Sequence, residues 1–187
     1  MKYDLLIKNG TIVSSENIIR SDLYISAGII SRITENTGKD TFTKEIDAGG
    51  RYIFPGGIDP HVHMHLSTPA GYSSDDFRTG GIAALYGGTT TLIDFVTPRK
   101  GQDLTEAFND RIKEAENAVT DFSFHVSPVD IHPGIELEIE KLIQQGITSF
   151  KVYTAYKETI GLDDSVLYEI MQIIAKNNAL MTVHAET

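Results

Sequence analysis

Apolar and polar residues alternate over short distances in the first 54 positions, then regroup into longer blocks. Tyr3–Lys8 reads as a strand closed by the turn dipeptide Asn9-Gly10, with Thr11-Ile12-Val13 continuing after it. Asp22–Ile25 and Gly28–Ile33 read as a hairpin about Ala27-Gly28, and Lys44–Asp47 as a further strand ended by Gly49-Gly50. No helical period survives here, so residues 1–54 are expected to form a small β-rich part. From Tyr52 onward, nearly continuous apolar runs alternate with helix-like stretches. The strands expected are Ile53–Ile58, Thr89–Phe95, Phe122–Val126, Ser149–Tyr153 and Leu180–Val183. The helices expected are Ser74–Tyr86, Leu104–Val119, Gly134–Gln145 and Asp164–Lys176, with caps at Ser74 and at Asp163-Asp164 and stops at Gly87-Gly88 and Gly146. Residues 55–187 thus read as an α/β region of four β-α units plus a fifth strand. Continuous apolar strands belong to parallel sheets covered on both faces, so an open doubly wound sheet and a (β/α)₈ barrel both fit. A whole barrel takes about 250 residues, and this stretch supplies about half of one.

Composition narrows the chemistry. The 187 residues contain no cysteine, so a disulfide scaffold and thiolate metal ligation are excluded. Sixteen basic against 26 acidic residues give a net charge of −10 without a basic stripe, which argues against nucleic acid as a partner. The apolar run Leu5–Ile7 is too short for a signal-peptide core and no run approaches membrane-spanning length, so a cytoplasmic protein is expected.

Three segments carry candidate chemistry. In Gly56-Gly57-Ile58-Asp59-Pro60-His61-Val62-His63, the two histidines are spaced to share one face of an extended chain, where neutral imidazoles can hold a divalent ion; an ordinary surface or core pair is the alternative. Lys151 interrupts the apolar strand Ser149–Tyr153. Burial would favour its neutral amine, which can form a Schiff base or add carbon dioxide as a carbamate, whereas a strand-end lysine reaching water would do neither. His184 follows the fifth strand. His61, His63, Lys151 and His184 would all lie at strand C-terminal ends, which converge on one mouth in a barrel. Around them, His65 reads as a loop or substrate-side residue and His132 as a loop residue. His125 reads as a support or a core residue, Asp94 as able to orient a ligand or cap a loop with the structural role preferred, Asp59 as shaping the turn before His61, and Glu186 as a local cap or a hydrogen-bond partner near the site.

Together with Asp75-Asp76-Phe77, Gly87-Gly88-Thr89-Thr90, Ile93-Asp94-Phe95, Phe150-Lys151-Val152 and Val183-His184-Ala185-Glu186, the histidine segment resembles the cyclic amidohydrolases, and most of all the dihydropyrimidinase and D-hydantoinase group. The resemblance runs in order from Met1 to Thr187, and Asp4-Leu5-Leu6-Ile7-Lys8-Asn9-Gly10 is similar to the first strands of that family's β-sandwich. It implies a partial barrel of the (β/α)₈ type behind a β-sandwich part. It further implies two divalent metal ions, usually zinc: His61 and His63 on the first, His184 on the second, and a carboxylated Lys151 bridging both. Tyr156 matches a tyrosine that hydrogen-bonds the substrate carbonyl and its developing oxyanion. A bridging hydroxide would open a dihydropyrimidine or hydantoin ring to an N-carbamoyl amino acid, in a homo-oligomer that is a tetramer in intact relatives. Allantoin or dihydroorotate as substrate, or a non-catalytic cytoskeletal scaffold, are the alternatives within the family. The loop Leu66–Tyr72 departs from the more apolar version expected of many hydantoinases. The family also uses a histidine after the sixth strand and an aspartate after the eighth, beyond the last residue of this chain. The expectation is therefore a front fragment, a poor or inactive enzyme alone, with exposed sheet edges at the first and fifth strands that leave it associating or unstable.

Overall fold

The computed structural model describes residues 2–35 and 38–186; Met1 and Thr187, which bound the resemblance, lie outside the described residues. The chain divides into two compact units, Met1–Pro55 and Gly56–Thr187.

In the first unit, β1 (Lys2–Val13) lies between β2 (Ile18–Ser26), antiparallel to it, and β4 (Thr41–Asp47), parallel to it. Strand β3 (Ile29–Thr34) pairs with β2, and the short β5 (Tyr52–Ile53) extends the parallel side of β1. The β2–β3 turn uses Ala27 at φ 50° and Gly28 at φ 76°, the left-handed pair that a tight hairpin requires. Asn9-Gly10 is not a turn. Leu5–Ile7 and Thr11–Val13 pair with the same strand, so Asn9 (φ 57°) forms a bulge inside β1, its N–H donating to Asp22 Oδ1 at 2.8 Å. Tyr3, Leu6 and Tyr24 form the small core, and the Arg32 guanidinium stacks on Tyr24 at 4.1 Å.

The second unit starts with β6 (Gly57–Asp59), a hairpin of β7 (Ser67–Thr68) and β8 (Gly71–Tyr72), and α1 (Phe77–Tyr86). It continues with β9 (Thr89–Val96), α2 (Leu104–Glu114), β10 (Asp121–Val126), α3 (Ile135–Gln144), β11 (Ser149–Tyr153), α4 (Asp164–Lys176) and β12 (Leu180–His184). The run Ile53–Ile58 is two strands rather than one. Pro55 has no N–H to give a ladder, and the chain passes there from β5, paired with β1, to β6, paired with β9. Helix α2 ends at Glu114 instead of Val119, because the next backbone bonds, Glu116 to Lys113 and Ala118 to Ala115, tighten to three-residue spacing.

Strands β6, β9, β10, β11 and β12 are adjacent in chain order and all parallel. A doubly wound sheet reverses its strand order at a switch point. The absence of a reversal among the described residues, and the curl of the sheet, make this five-strand partial barrel with four helices. Period-two alternation then sorts the side chains. Phe124, Val126, Phe150 and Val152 point to the helices and join Phe77, Phe108, Ile139, Leu142, Ile170 and Ile174 in the main core. Phe95, His125, Lys151, Tyr153 and His184 take the opposite, inner parity. Asp76 caps α1 by accepting from Arg78 N and Thr79 N, in place of the expected Ser74, and Asp103 caps α2. β6 and β12 are the outer strands, with Ile58 and Leu180 exposed. No described helix is long and apolar enough to cross a membrane.

Candidate functional site

The chain leaves β6 through a turn in which Asp59 Oδ1 accepts the His61 N–H at 3.1 Å. Val62 N–H then donates to Ile93 O at 3.2 Å, which keeps the segment against β9. His61 and His63 consequently emerge together, ring centroids 5.3 Å apart. Both rest on Phe95 of β9 at 4.7 Å, the His63 ring nearly parallel to it at 21°. His125 stands beside Phe95 in register, 5.2 Å away. Its Nε2 lies 2.9 Å from the Pro60 carbonyl, which only accepts, so Nε2 carries the proton. Nδ1, 2.6 Å from the Ser149 hydroxyl, then accepts from it in the neutral ring. A side chain from β10 thus reaches the exit of β6 two strands away and supports it.

Lys151 occupies the inner face of β11 and is 7% exposed, between fully buried Phe150 and Val152. Its Nζ lies 6.0 Å from the Phe95 ring centre and 5.5 Å from that of Tyr153. Among the described residues no carboxylate or carbonyl pairs with it. Burial alone pushes its pKa down from the ordinary lysine value. Burial is also the main cause that lowers the pKa of His63; Asp94 opposes it, and His61, Arg111 and Lys151 reinforce it.

His184 faces Tyr153 across the β11–β12 ladder, ring centroids 5.8 Å apart. Thr154 N–H donates to His184 O at 3.0 Å, and Glu186 N–H to Thr154 Oγ1 at 2.9 Å, so the exits of the two strands are tied together. The His184 Nε2 is engaged by the Glu186 carboxylate at 2.7 Å. Tyr156 lies 5.6 Å from His184 and 6.3 Å from Tyr153. Its left-handed backbone (φ 60°) lets its carbonyl accept the N–H groups of Thr159, Ile160 and Gly161. Gly161 closes this loop so tightly that a Cβ there would stand 2.1 Å from the Ala155 oxygen.

Two groups therefore form on the inner face. His61, His63 and Lys151 share Phe95, His184 and Tyr156 share Tyr153, and Lys151 above Tyr153 joins them. Among the described residues no three His, Asp or Glu side chains converge as a ready-made metal cluster. The donor chemistry nonetheless suits a divalent cation: two adjacent imidazoles, one kept neutral by burial, beside an unpaired buried amine. His65 is separate, stacked on Tyr72 at 4.2 Å, and His132 sits 3.7 Å from Glu138. In the sequence Phe95 shows only as the last residue of Ile93-Asp94-Phe95 and by its inner parity near a strand end, and no role is assigned to it. Sequence reasoning also passed over Arg111, whose partners Asp94 and Met64 are 17 and 47 residues away.

The amidohydrolase family model matches residues 52–187. A D-hydantoinase of Geobacillus stearothermophilus is 43% identical over 183 residues, which are 97% of this chain and 39% of the relative. A dihydropyrimidinase of Dictyostelium discoideum is 39% identical, over 97% of this chain and 37% of its own length. The solved D-hydantoinase (dihydropyrimidinase) from a Thermus species superposes with a TM-score of 0.91 at 35% identity, covering 98% of this chain and 40% of that one. The chain spans about two fifths of the length of the relatives it matches.

Proposed function

The chain belongs to the amidohydrolase family, and on that footing we propose that it carries the strand-end ligands of a cyclic amidohydrolase that opens dihydropyrimidine or hydantoin rings to N-carbamoyl amino acids. The observation that supports this most is the meeting of His61, His63 and Lys151 on the single ring of Phe95. In this reading His61 and His63 would hold one divalent cation and His184 another. Lys151, whose buried amine is shifted toward its neutral form, would add carbon dioxide with loss of a proton and supply carbamate oxygens as further ligands. Glu186, which engages the His184 Nε2 at 2.7 Å, would have to release it for His184 to serve as a ligand. The metals, once bound, would supply an activated hydroxide and polarise the ring carbonyl. Tyr156, exposed at the mouth beside His184, donates its hydroxyl proton in a hydrogen bond to the substrate carbonyl as negative charge builds there. The small cyclic ureides named for the relatives are the substrate class, and a homo-oligomer is the expected assembly.

The test is metal analysis and intact mass after incubation with zinc and bicarbonate, with dihydrouracil and hydantoin as probe substrates. Wild type should bind metal and gain the mass of carbon dioxide at Lys151, and Lys151→Ala should lose that added mass. A chain that takes up neither metal nor carbon dioxide would overturn the reading.

A further inference from the structure

The peptide groups of Met64, the residue directly after His63, are held from outside the sheet. Asp94, fully buried on the helix-facing side of β9, accepts the Met64 N–H through Oδ2 at 2.7 Å. Arg111 on α2 donates from one Nη2 both to the Met64 carbonyl at 2.5 Å and to Asp94 Oδ1 at 2.9 Å. The guanidinium is itself fixed: it lies 4.7 Å over the Phe77 ring of α1, and its other amino group pairs with Glu114. A buried ion pair is a poor source of stability, because desolvation consumes much of the Coulombic gain and an apolar pair would serve as well. What this pair does that an apolar pair could not is saturate both hydrogen-bonding groups of one loop residue.

Resting on the metal-site reading above, we infer that Arg111 and Asp94 act together as positioning residues for the His61–His63 segment, locking the backbone at Met64 so that both imidazoles are presented in a fixed orientation. Neither touches the reacting atoms. Their effect passes through one peptide, in the way that supporting partners commonly set ligand geometry.

The experiment compares wild type with Arg111→Met and with Arg111→Met combined with Asp94→Leu; the double variant leaves neither an unpaired buried charge nor an acceptor for the Met64 N–H, and guards against a variant that merely fails to fold. Two quantities are read: amide hydrogen exchange at Met64, with Phe124 and Val152 as references, and cobalt(II) affinity from its visible absorption. The expected result in the double variant is lost protection at Met64, retained protection at Phe124 and Val152, and a cobalt affinity about 10- to 100-fold weaker; Arg111→Met alone, which frees only the Met64 carbonyl, weakens cobalt binding by less. Three results overturn the inference: a Met64 amide that stays protected, a uniform loss of protection at all three amides, or a cobalt affinity within about twofold of wild type. Wild type that binds no cobalt brings down the metal-site reading and this inference with it; wild type and double variant binding cobalt equally tightly bring down this inference alone.

Discussion

Replacing Phe95 with alanine tests whether the site is organised by a single ring. Phe95 is 6% exposed and touches, on one inner face, the rings of His61 and His63 at 4.7 Å each and of His125 at 5.2 Å. Truncating a buried phenylalanine removes its transfer free energy and leaves a cavity, for about 3–5 kcal/mol. Phe95→Leu separates the two contributions, since it keeps most of the volume and loses only the ring contacts. Three aromatic neighbours at about 0.5 kcal/mol each, the low end for such pairs, put the leucine variant at about 1.5 kcal/mol. The chain has no tryptophan, so urea unfolding is followed by far-ultraviolet circular dichroism, with unchanged slopes as the check that the denatured state is the same. The alanine variant should also bind cobalt(II) more weakly than the leucine variant, because the floor under both imidazoles is gone. An alanine variant that costs less than about 1 kcal/mol, or one no worse than leucine in both assays, would refute the idea that Phe95 is the platform.

Three further outcomes follow from particular contacts. Gly161→Ala places a Cβ against backbone atoms of Ala155, Tyr156 and Lys157, none of which can swing aside. It should cost about 1–3 kcal/mol and open residues 154–161 to limited proteolysis; unchanged stability and cleavage would contradict the close packing. Lys151→Met should flatten the alkaline stability profile. Burial lowers the folded pKa of Lys151, so the unfolded chain holds its proton more tightly, and wild type gains stability as pH rises through the folded value toward 10.5. A wild-type-to-variant difference in urea midpoint that stays constant from neutral pH to 10.5 would count against this. Asp103→Ala removes the acceptor for Thr105 N and Glu106 N at the start of α2 and should cost about 1 kcal/mol near neutral pH. The Thr105 hydroxyl and the two N–H bonds hold the Asp103 pKa below its ordinary 3.8, so this contribution is present above 3.8 and fades as the pH falls through the lower folded value. Parallel wild-type and variant acid profiles would oppose it.

Much of the architecture was readable in the order of residues. The four helices and the later strands announce themselves as alternating helix-like and apolar blocks, two of the helices closed by glycine stops, and Ala27-Gly28 is the hairpin it reads as. Asn9-Gly10 misleads because a left-handed residue serves a turn or a bulge equally, and only the pairing of both flanks with β2 selects the bulge. At the site, the spacing of His61 and His63 and the lone lysine in β11 are local patterns, visible as soon as strand parity is assigned. The support beneath them is not local. Phe95 matters because β9 lies between β6 and β10. Arg111 matters because α2 packs over Asp94, and His125 because the sheet curls far enough for β10 to reach Pro60. By itself the sequence determined the α/β rhythm, the strand ends and the residue types able to bind a cation. Which of those side chains meet, and what holds them, was decided by the tertiary structure, since strand order, sheet curvature and helix packing depend on contacts between residues far apart in the chain.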